Sequence, residues 1–363
     1  MSELLKETIG RIGPLDETAM AAAEERQVQL TKPPKALGRL ETLSIQLAGI
    51  TGDPTPAFPD KVVAVMAGDH GVVVEGVSAF PAEVTPAMVR NFAAGGAAIN
   101  VIGRHVDARV VVTDVGVDAD LSDLQTIRHR KVRRGTANMA RGAAMSRAEA
   151  EQAVEVGIEL VDEAVAEGAT MFATGEMGIG NTTASSAVIA ALTGAPVADV
   201  TGRGTGIAKD ALPQKIAVIE KALEVNGPDP GDAIDVLTKV GGLEIAAMTG
   251  VMLACAARRV PVVMDGFISA AAALAAVRLC PAAKDYVLPS HVSIEVGHQV
   301  VLEELGLTPL FDLQMRLGEG TGAALSMSLL DAAAKTLAEM ATFESAGVAG
   351  DPNEADDELE RGG

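Results

Sequence analysis

Four short apolar runs, rich in β-branched residues, each stop at a glycine or a turn. They are Val62 to Met66 before Gly68-Asp69-His70-Gly71, Val110 to Val112 before Thr113-Asp114, Thr170 to Ala173 before Gly175, and Val262 to Met264 before Asp265-Gly266. Runs with no polar alternation are buried on both faces, the habit of parallel strands, and parallel strands must be joined by crossovers. Helical patterns occupy the intervals. Ser146-Arg147-Ala148-Glu149 is a capping box, the apolar positions after it recur at helical spacing through Val156 and Leu160, and Gly168 closes the segment. Further helices are predicted over 182–193, 208–225, 244–258 and 267–279. Strand followed by helix, repeated, means an α/β fold with a parallel sheet.

The two ends of the chain lack such runs. Residues 1–50, interrupted by Lys32-Pro33-Pro34, and residues 319–345 have helical patterns, and are expected to form a small helical subdomain, with 51–318 as the α/β core. Residues 346–363 are acidic, have no apolar face, and are expected to be a disordered tail.

Hydrophobic residues make up 48% of the 363 positions, with no Trp, one Tyr and seven Phe, so the core is aliphatic and offers few rings on which nucleobases could stack. A formal charge of −20 repels polyanions and makes nucleic acid and acidic membranes poor partners. A small phosphate is still admissible where backbone N–H groups and a few cations make a local positive site. The two cysteines, Cys255 and Cys280, lie in apolar helical stretches and provide neither a disulfide framework nor a metal motif. The N-terminus lacks the basic and apolar regions of a signal peptide, and the apolar runs fall short of a membrane span, so a cytoplasmic protein is expected.

Gly175-Glu176-Met177-Gly178-Ile179-Gly180-Asn181-Thr182-Thr183 lies between a predicted strand and a predicted helix. Its glycines allow close backbone approach, and the helix N-terminus and Thr hydroxyls suit a phosphate. It is neither a dinucleotide fingerprint nor a Walker loop, and a ligand-free tight turn is the alternative. Gly202-Arg203-Gly204-Thr205-Gly206 adds a guanidinium to a similar nest, or is a surface turn. Asp265-Gly266 stands at a strand end where open α/β sheets bind ligands, or Asp265 caps the following helix. Glu319, within Gly318-Glu319-Gly320-Thr321-Gly322, is a candidate general base if Leu317 and other apolar groups enclose it and raise its pKa, and otherwise a solvated loop carboxylate. Glu176 is the second carboxylate candidate. His70 is either catalytic or a hydrogen-bonded structural histidine. The five histidines have no metal-ligand spacing, and no nucleophile elbow is present.

The ordered set of strings resembles the nicotinate-nucleotide:dimethylbenzimidazole phosphoribosyltransferases of cobalamin nucleotide synthesis. The strings are Lys32-Pro33-Pro34 with Leu37-Gly38-Arg39-Leu40-Glu41, Ala67 to Gly71, Gly76 to Pro81, Gly175 to Thr183, Gly202 to Gly206, Asp265-Gly266-Phe267 and Gly318 to Gly322. The resemblance implies a mostly parallel, Rossmann-like sheet flanked by helices, and a homodimer. It implies transfer of the phosphoribosyl group of nicotinate mononucleotide to a benzimidazole with inversion, giving α-ribazole 5′-phosphate and nicotinate. Nicotinate departs from a pyridinium without needing a proton, so one base suffices. The transferred phosphate is a monoester, which removes the usual reason for Mg²⁺, and no metal or other cofactor is expected.

Position by position, the resemblance makes Glu319 the base, supported by Glu176. It places Gly178, Gly180, Asn181, Thr182, Gly202, Arg203, Gly204, Lys215, Asp265, Gly266 and Ser290 around the nucleotide, and Ser78, Phe80, Met88 and Leu317 around the attacking base. This chain has Lys35-Ala36 where members of the family often carry Gly-Ser, and Phe80 and Ala87-Met88 near positions of Tyr and Gln. Fewer polar groups then face the base, which predicts a preference for dimethylbenzimidazole over hydroxylated bases. Two other readings are a nucleotide-dependent oxidoreductase, against which the missing fingerprint counts, and a nucleotide-binding regulator without chemistry, against which Glu319 counts.

Overall fold

The structure is a computed structural model and describes residues 1–204 and 206–348. The tail expected at 346–363 lies, from 349 on, outside the described residues; Phe343–Ala346 is a one-turn helix ended by Gly347.

Six strands form one parallel sheet: β1 (Lys61–Gly68), β2 (Ala108–Gly116), β3 (Arg128–His129), β4 (Met171–Met177), β5 (Val262–Met264) and β6 (Val287–Pro289). Their order is β3-β2-β1-β4-β5-β6. The chain builds outward from β1 in one direction, then returns to its other side and builds outward again. Between β1 and β4 the direction of winding reverses, and the crevice at the carboxyl ends of strands near such a reversal is where sheets of this kind bind ligands. The register runs Lys61↔Met171 to Ala67↔Met177 across that join. Every residue of β1 is buried, as its unbroken apolar run requires.

The predicted helices are present as Arg147–Ala166, Asn181–Thr193, Leu212–Asn226, Leu243–Ala257 and Phe267–Leu279. Ser146 accepts from Glu149 N–H, and the Glu149 side chain returns to Ser146 N–H, so the capping box is formed. Helices Arg147–Ala166 and Leu243–Ala257 meet through Gly157 and Gly250, where a side chain would strike the facing backbone at Ala247 and Val154.

The described chain divides into two compact units, one of residues 1–13 and 60–326, the other of 14–59 and 327–348. The sequence reading sets its divisions at 50 and 318. In the smaller unit, helix Glu17–Gln29 packs on Arg39–Thr51, and Arg26 donates to the carbonyls of Leu337 and Ala338 at the end of a third helix. Lys35 there has φ of +60°, a left-handed backbone that a glycine adopts more readily.

Candidate active site

A cavity of about 370 Å³ opens at the carboxyl ends of β4, β5 and β6. Its walls come from the segment after β4 (176–182), the start of the helix after β5 (265–269), alternate residues after β6, and 316–319.

Glu319 sits in three successive left-handed residues, with φ of +85°, +62° and +89° at Gly318, Glu319 and Gly320. Only the middle one bears a side chain, and that conformation costs about 1–3 kcal/mol outside glycine unless the surroundings hold it. They do. A Cβ on Gly175 of β4 would collide with the Glu319 carbonyl, so the loop lies directly against the strand. Asp265 then accepts the N–H groups of Gly320 at 3.2 Å and Ala323 at 2.9 Å. Asp265 therefore caps the helix that begins at Thr321, and not its own following helix, whose N-cap is Gly266 without a side-chain bond. The Glu319 side chain is buried, and one of its carboxylate oxygens accepts Ile99 N–H at 3.3 Å. Burial raises its pKa, the Ile99 N–H opposes this, and Asp265 adds to the rise. Leu317 does not supply the enclosure expected of it: it is 58% exposed and forms part of the rim.

Glu176 stands beside it at the end of β4. Burial and the neighbouring carboxylates Asp265 and Glu244 push its pKa up to about 8, against hydrogen bonds from Asn181 and the Glu319 N–H. At neutral pH it is mostly protonated. Asn181 reaches it from the first turn of Asn181–Thr193.

A cation stands behind another part of the wall, the stretch at Thr182. Lys215 is 1% exposed, and its Nζ donates to Thr182 Oγ1 at 2.8 Å. Nζ would stand 3.0 Å from a Cβ on Gly204. Among the described residues it has no ion pair. Burial lowers its pKa to about 8, partly offset by Glu295. A buried ammonium at a helix N-terminus, facing glycine backbone, is an anion site in waiting.

A family model described as a phosphoribosyltransferase matches residues 12–348. The chain belongs to this phosphoribosyltransferase family. The nicotinate-nucleotide--dimethylbenzimidazole phosphoribosyltransferase of Roseiflexus sp. (strain RS-1) is 60% identical over 347 residues, covering 96% of this chain and 98% of the relative. That of Geobacter sulfurreducens is 57% identical over 346 residues, covering 95% and 98%. The crystal structure of CobT from Thermus thermophilus matches with a TM-score of 0.88 at 48% identity, over 92% of this chain and 99% of that one.

In this phosphoribosyltransferase Glu176, Gly178, Asn181, Thr182, Gly204, Asp265, Gly266 and Glu319 line one cavity, together with Phe80, Met88 and Leu317. Lys215 reaches it through Thr182. Six expected residues do not line it, Lys215 among them. Gly180 turns its open side to Val73 and His70, and Gly202 turns its own to Glu295. Arg203 donates through Nε to Ile207 O at 2.7 Å. Ser290 directs its hydroxyl to Asp265 O and His291, and Ser78 accepts Phe80 N–H. His70 is paired with Glu244 at 2.5 Å, both fully buried, behind Gly178. Burial opposes the charged imidazole, but Glu244 and Asp69 together lift its pKa.

Sequence reasoning missed His291, Ser293, Glu295 and Arg316, all of which line the cavity. The signal was polar alternation at 291, 293 and 295 after the short apolar Val287-Leu288-Pro289. Among the described residues, no three His, Cys, Asp or Glu lie together in a way that could hold a metal ion, and no helix is long and apolar enough to cross a membrane.

Proposed function

We propose that this chain transfers the phosphoribosyl group of nicotinate mononucleotide to 5,6-dimethylbenzimidazole with inversion, as the names of its relatives suggest. The observation that carries the reading is a buried carboxylate, Glu319, in the same cavity wall as an anion site built on Lys215. The substrate phosphate sits against Lys215, Thr182 and the backbone near Gly178 and Gly204. The benzimidazole lies against Phe80, Met88 and Val84, with Leu317 at the rim. One ring nitrogen forms the new bond at C1′ while the C1′–N bond to the pyridinium breaks, its electron pair leaving with nicotinate. Positive charge develops on the attacking ring, and Glu319 takes the proton from its other nitrogen. The raised pKa makes Glu319 a stronger base than an exposed carboxylate. Glu176 holds the Glu319 backbone N–H and supports the base without a second full negative charge beside it.

A homodimer in the cytoplasm belongs to the same reading. Phe80, Leu317, Ile294 and Val296 leave exposed apolar area that a second copy would cover. Sedimentation at the mass of one chain at micromolar concentration would count against the dimer.

The protein incubated with nicotinate mononucleotide and dimethylbenzimidazole, without added metal, is expected to give α-ribazole 5′-phosphate and nicotinate in equal amounts. Release of nicotinate without the ribazole product, or no turnover, would overturn the assignment.

A further inference from the structure

His291 lines the cavity, yet neither the base chemistry nor the phosphate site uses it. Its ring is 2% exposed and stacks on Phe311, with centroids 6.0 Å apart and planes 21° apart. Nδ1 lies 2.9 Å from Ser290 Oγ, and that oxygen donates to the Asp265 carbonyl at 3.2 Å. A hydroxyl has one proton. With that proton on Asp265 O, lone pairs of Ser290 face Nδ1, and an Asp265 carboxylate oxygen lies 3.9 Å from the same nitrogen, so both neighbours favour the tautomer with its hydrogen on Nδ1. The lone pair of a neutral ring is then on Nε2, which has no hydrogen-bond partner among the described residues.

The position of the ring decides what could donate to it. On one side, Gly322, three residues beyond Glu319, has its open face against the ring. On the other, Gly266 would bring a Cβ within 3.5 Å of Nε2 and 3.6 Å of Ser293 Cβ. Beyond Ser293, Glu295 closes on Gly202 and acts on Lys215. His291 thus stands between the Glu319 end and the Lys215 end of the wall. A nucleotide held by its phosphate at Lys215 and attacked at C1′ beside Glu319 has its sugar along this stretch.

We propose that His291 Nε2 accepts a hydrogen bond from a ribose hydroxyl of the nucleotide, fixing the sugar between the phosphate anchor and the base and selecting ribonucleotides over deoxyribonucleotides. The inference rests on the proposed reaction. Its partner is the 2′- or 3′-hydroxyl, since the 5′ position carries the phosphate.

The test compares nicotinate mononucleotide with its 2′-deoxy and 3′-deoxy analogues, using wild type, His291→Phe and His291→Gln. Wild type is expected to lose about tenfold or more in kcat/KM on one of the analogues, because a site built to bind a hydroxyl is left unpaired without it. His291→Phe keeps the ring stacking and is expected to lose about tenfold on the ribonucleotide but nearly nothing on that one analogue. His291→Gln, which offers a carbonyl oxygen, is expected to recover part of the loss and carries the comparison if the larger ring misfolds. An equal loss on all three substrates would make His291 merely structural. Equal wild-type turnover of all three would also overturn the inference. If wild type turns over none of them, the reaction fails instead, and calorimetric affinities of wild type and His291→Gln for the three nucleotides then decide the sugar contact, equal affinities overturning it.

Discussion

Glu176 lines the cavity and Lys215 stands behind its wall at Thr182, yet burial brings them to the same pKa region from opposite directions. The carboxyl rises to about 8 and the ammonium falls to about 8. Desolvation penalises whichever form is charged, so each is pushed toward its neutral form, yet at neutral pH the carboxyl is mostly protonated while the ammonium keeps most of its charge. They differ in what is available to favour the charged form. Lys215 faces glycine backbone and a helix N-terminus, so an incoming phosphate supplies its counter-charge. Glu176 faces two more carboxylates, which together with burial outweigh the hydrogen bonds from Asn181 and the Glu319 N–H, and the negative charge is left to Glu319. Two buried ionisable groups are thereby given different tasks, one to bind an anion and the other to stay neutral beside a base.

The largest effect expected from breaking this division is at the base. Glu319→Gln should lower kcat by about 10²–10⁴-fold while nucleotide affinity stays within about threefold, as single-turnover rates and calorimetry would measure. Near-wild-type turnover would remove Glu319 from the role. At the phosphate end, Lys215→Met should weaken nucleotide binding by roughly ten- to a hundredfold. The sign with pH follows from its lowered pKa: the charge is lost as pH rises through about 8, so wild-type affinity should fall above that value and the variant should lack this limb.

Glu176→Gln tests the neutral partner through stability. The folded group keeps its proton between 4.5 and about 8 where the unfolded one has released it. Wild type should therefore lose stability relative to the variant as pH rises across that window, and denaturant midpoints for both proteins would reveal the slope. Parallel pH profiles would mean that Glu176 is ionised in the folded protein. The smallest effects belong to the rim. Phe80→Ala should raise KM for dimethylbenzimidazole roughly three- to tenfold with that for the nucleotide unchanged, because this side chain is 49% exposed. In direct competition, dimethylbenzimidazole should be used in preference to a hydroxybenzimidazole, and a tenfold advantage for the hydroxylated base would refute the apolar wall.

Legibility in the sequence followed the punctuation of each strand and the type of interaction. The apolar runs of β1, β2, β4 and β5 announced themselves because each stops at a glycine or an acidic turn, even in β5, which has three residues. β3 and β6, of two and three residues, carry no such mark, and with β6 went His291, Ser293 and Glu295, which follow that strand into the cavity wall. The glycine strings marked the right loops, but not which glycine faced the ligand. Gly178 is required by the close passage of the Gly68 carbonyl as well as by the cavity, while Gly202 faces the end of the Glu295 side chain. Local sequence also misjudged the neighbour that encloses Glu319, since Leu317 is adjacent along the chain but exposed, whereas Ile99, 220 residues away, supplies the hydrogen bond.

The contact between Gly175 and the Glu319 carbonyl sets terms for any attempt to redesign this enzyme. Strand and loop are fitted backbone to backbone, so neither tolerates an added side chain unless the other is rebuilt with it, and stepwise laboratory selection would find few passable routes through that join. Phe80, Val84, Met88 and Leu317 carry no such restriction. Libraries seeking altered acceptor bases therefore belong at those four positions, where substitutions accumulate independently of the chemistry.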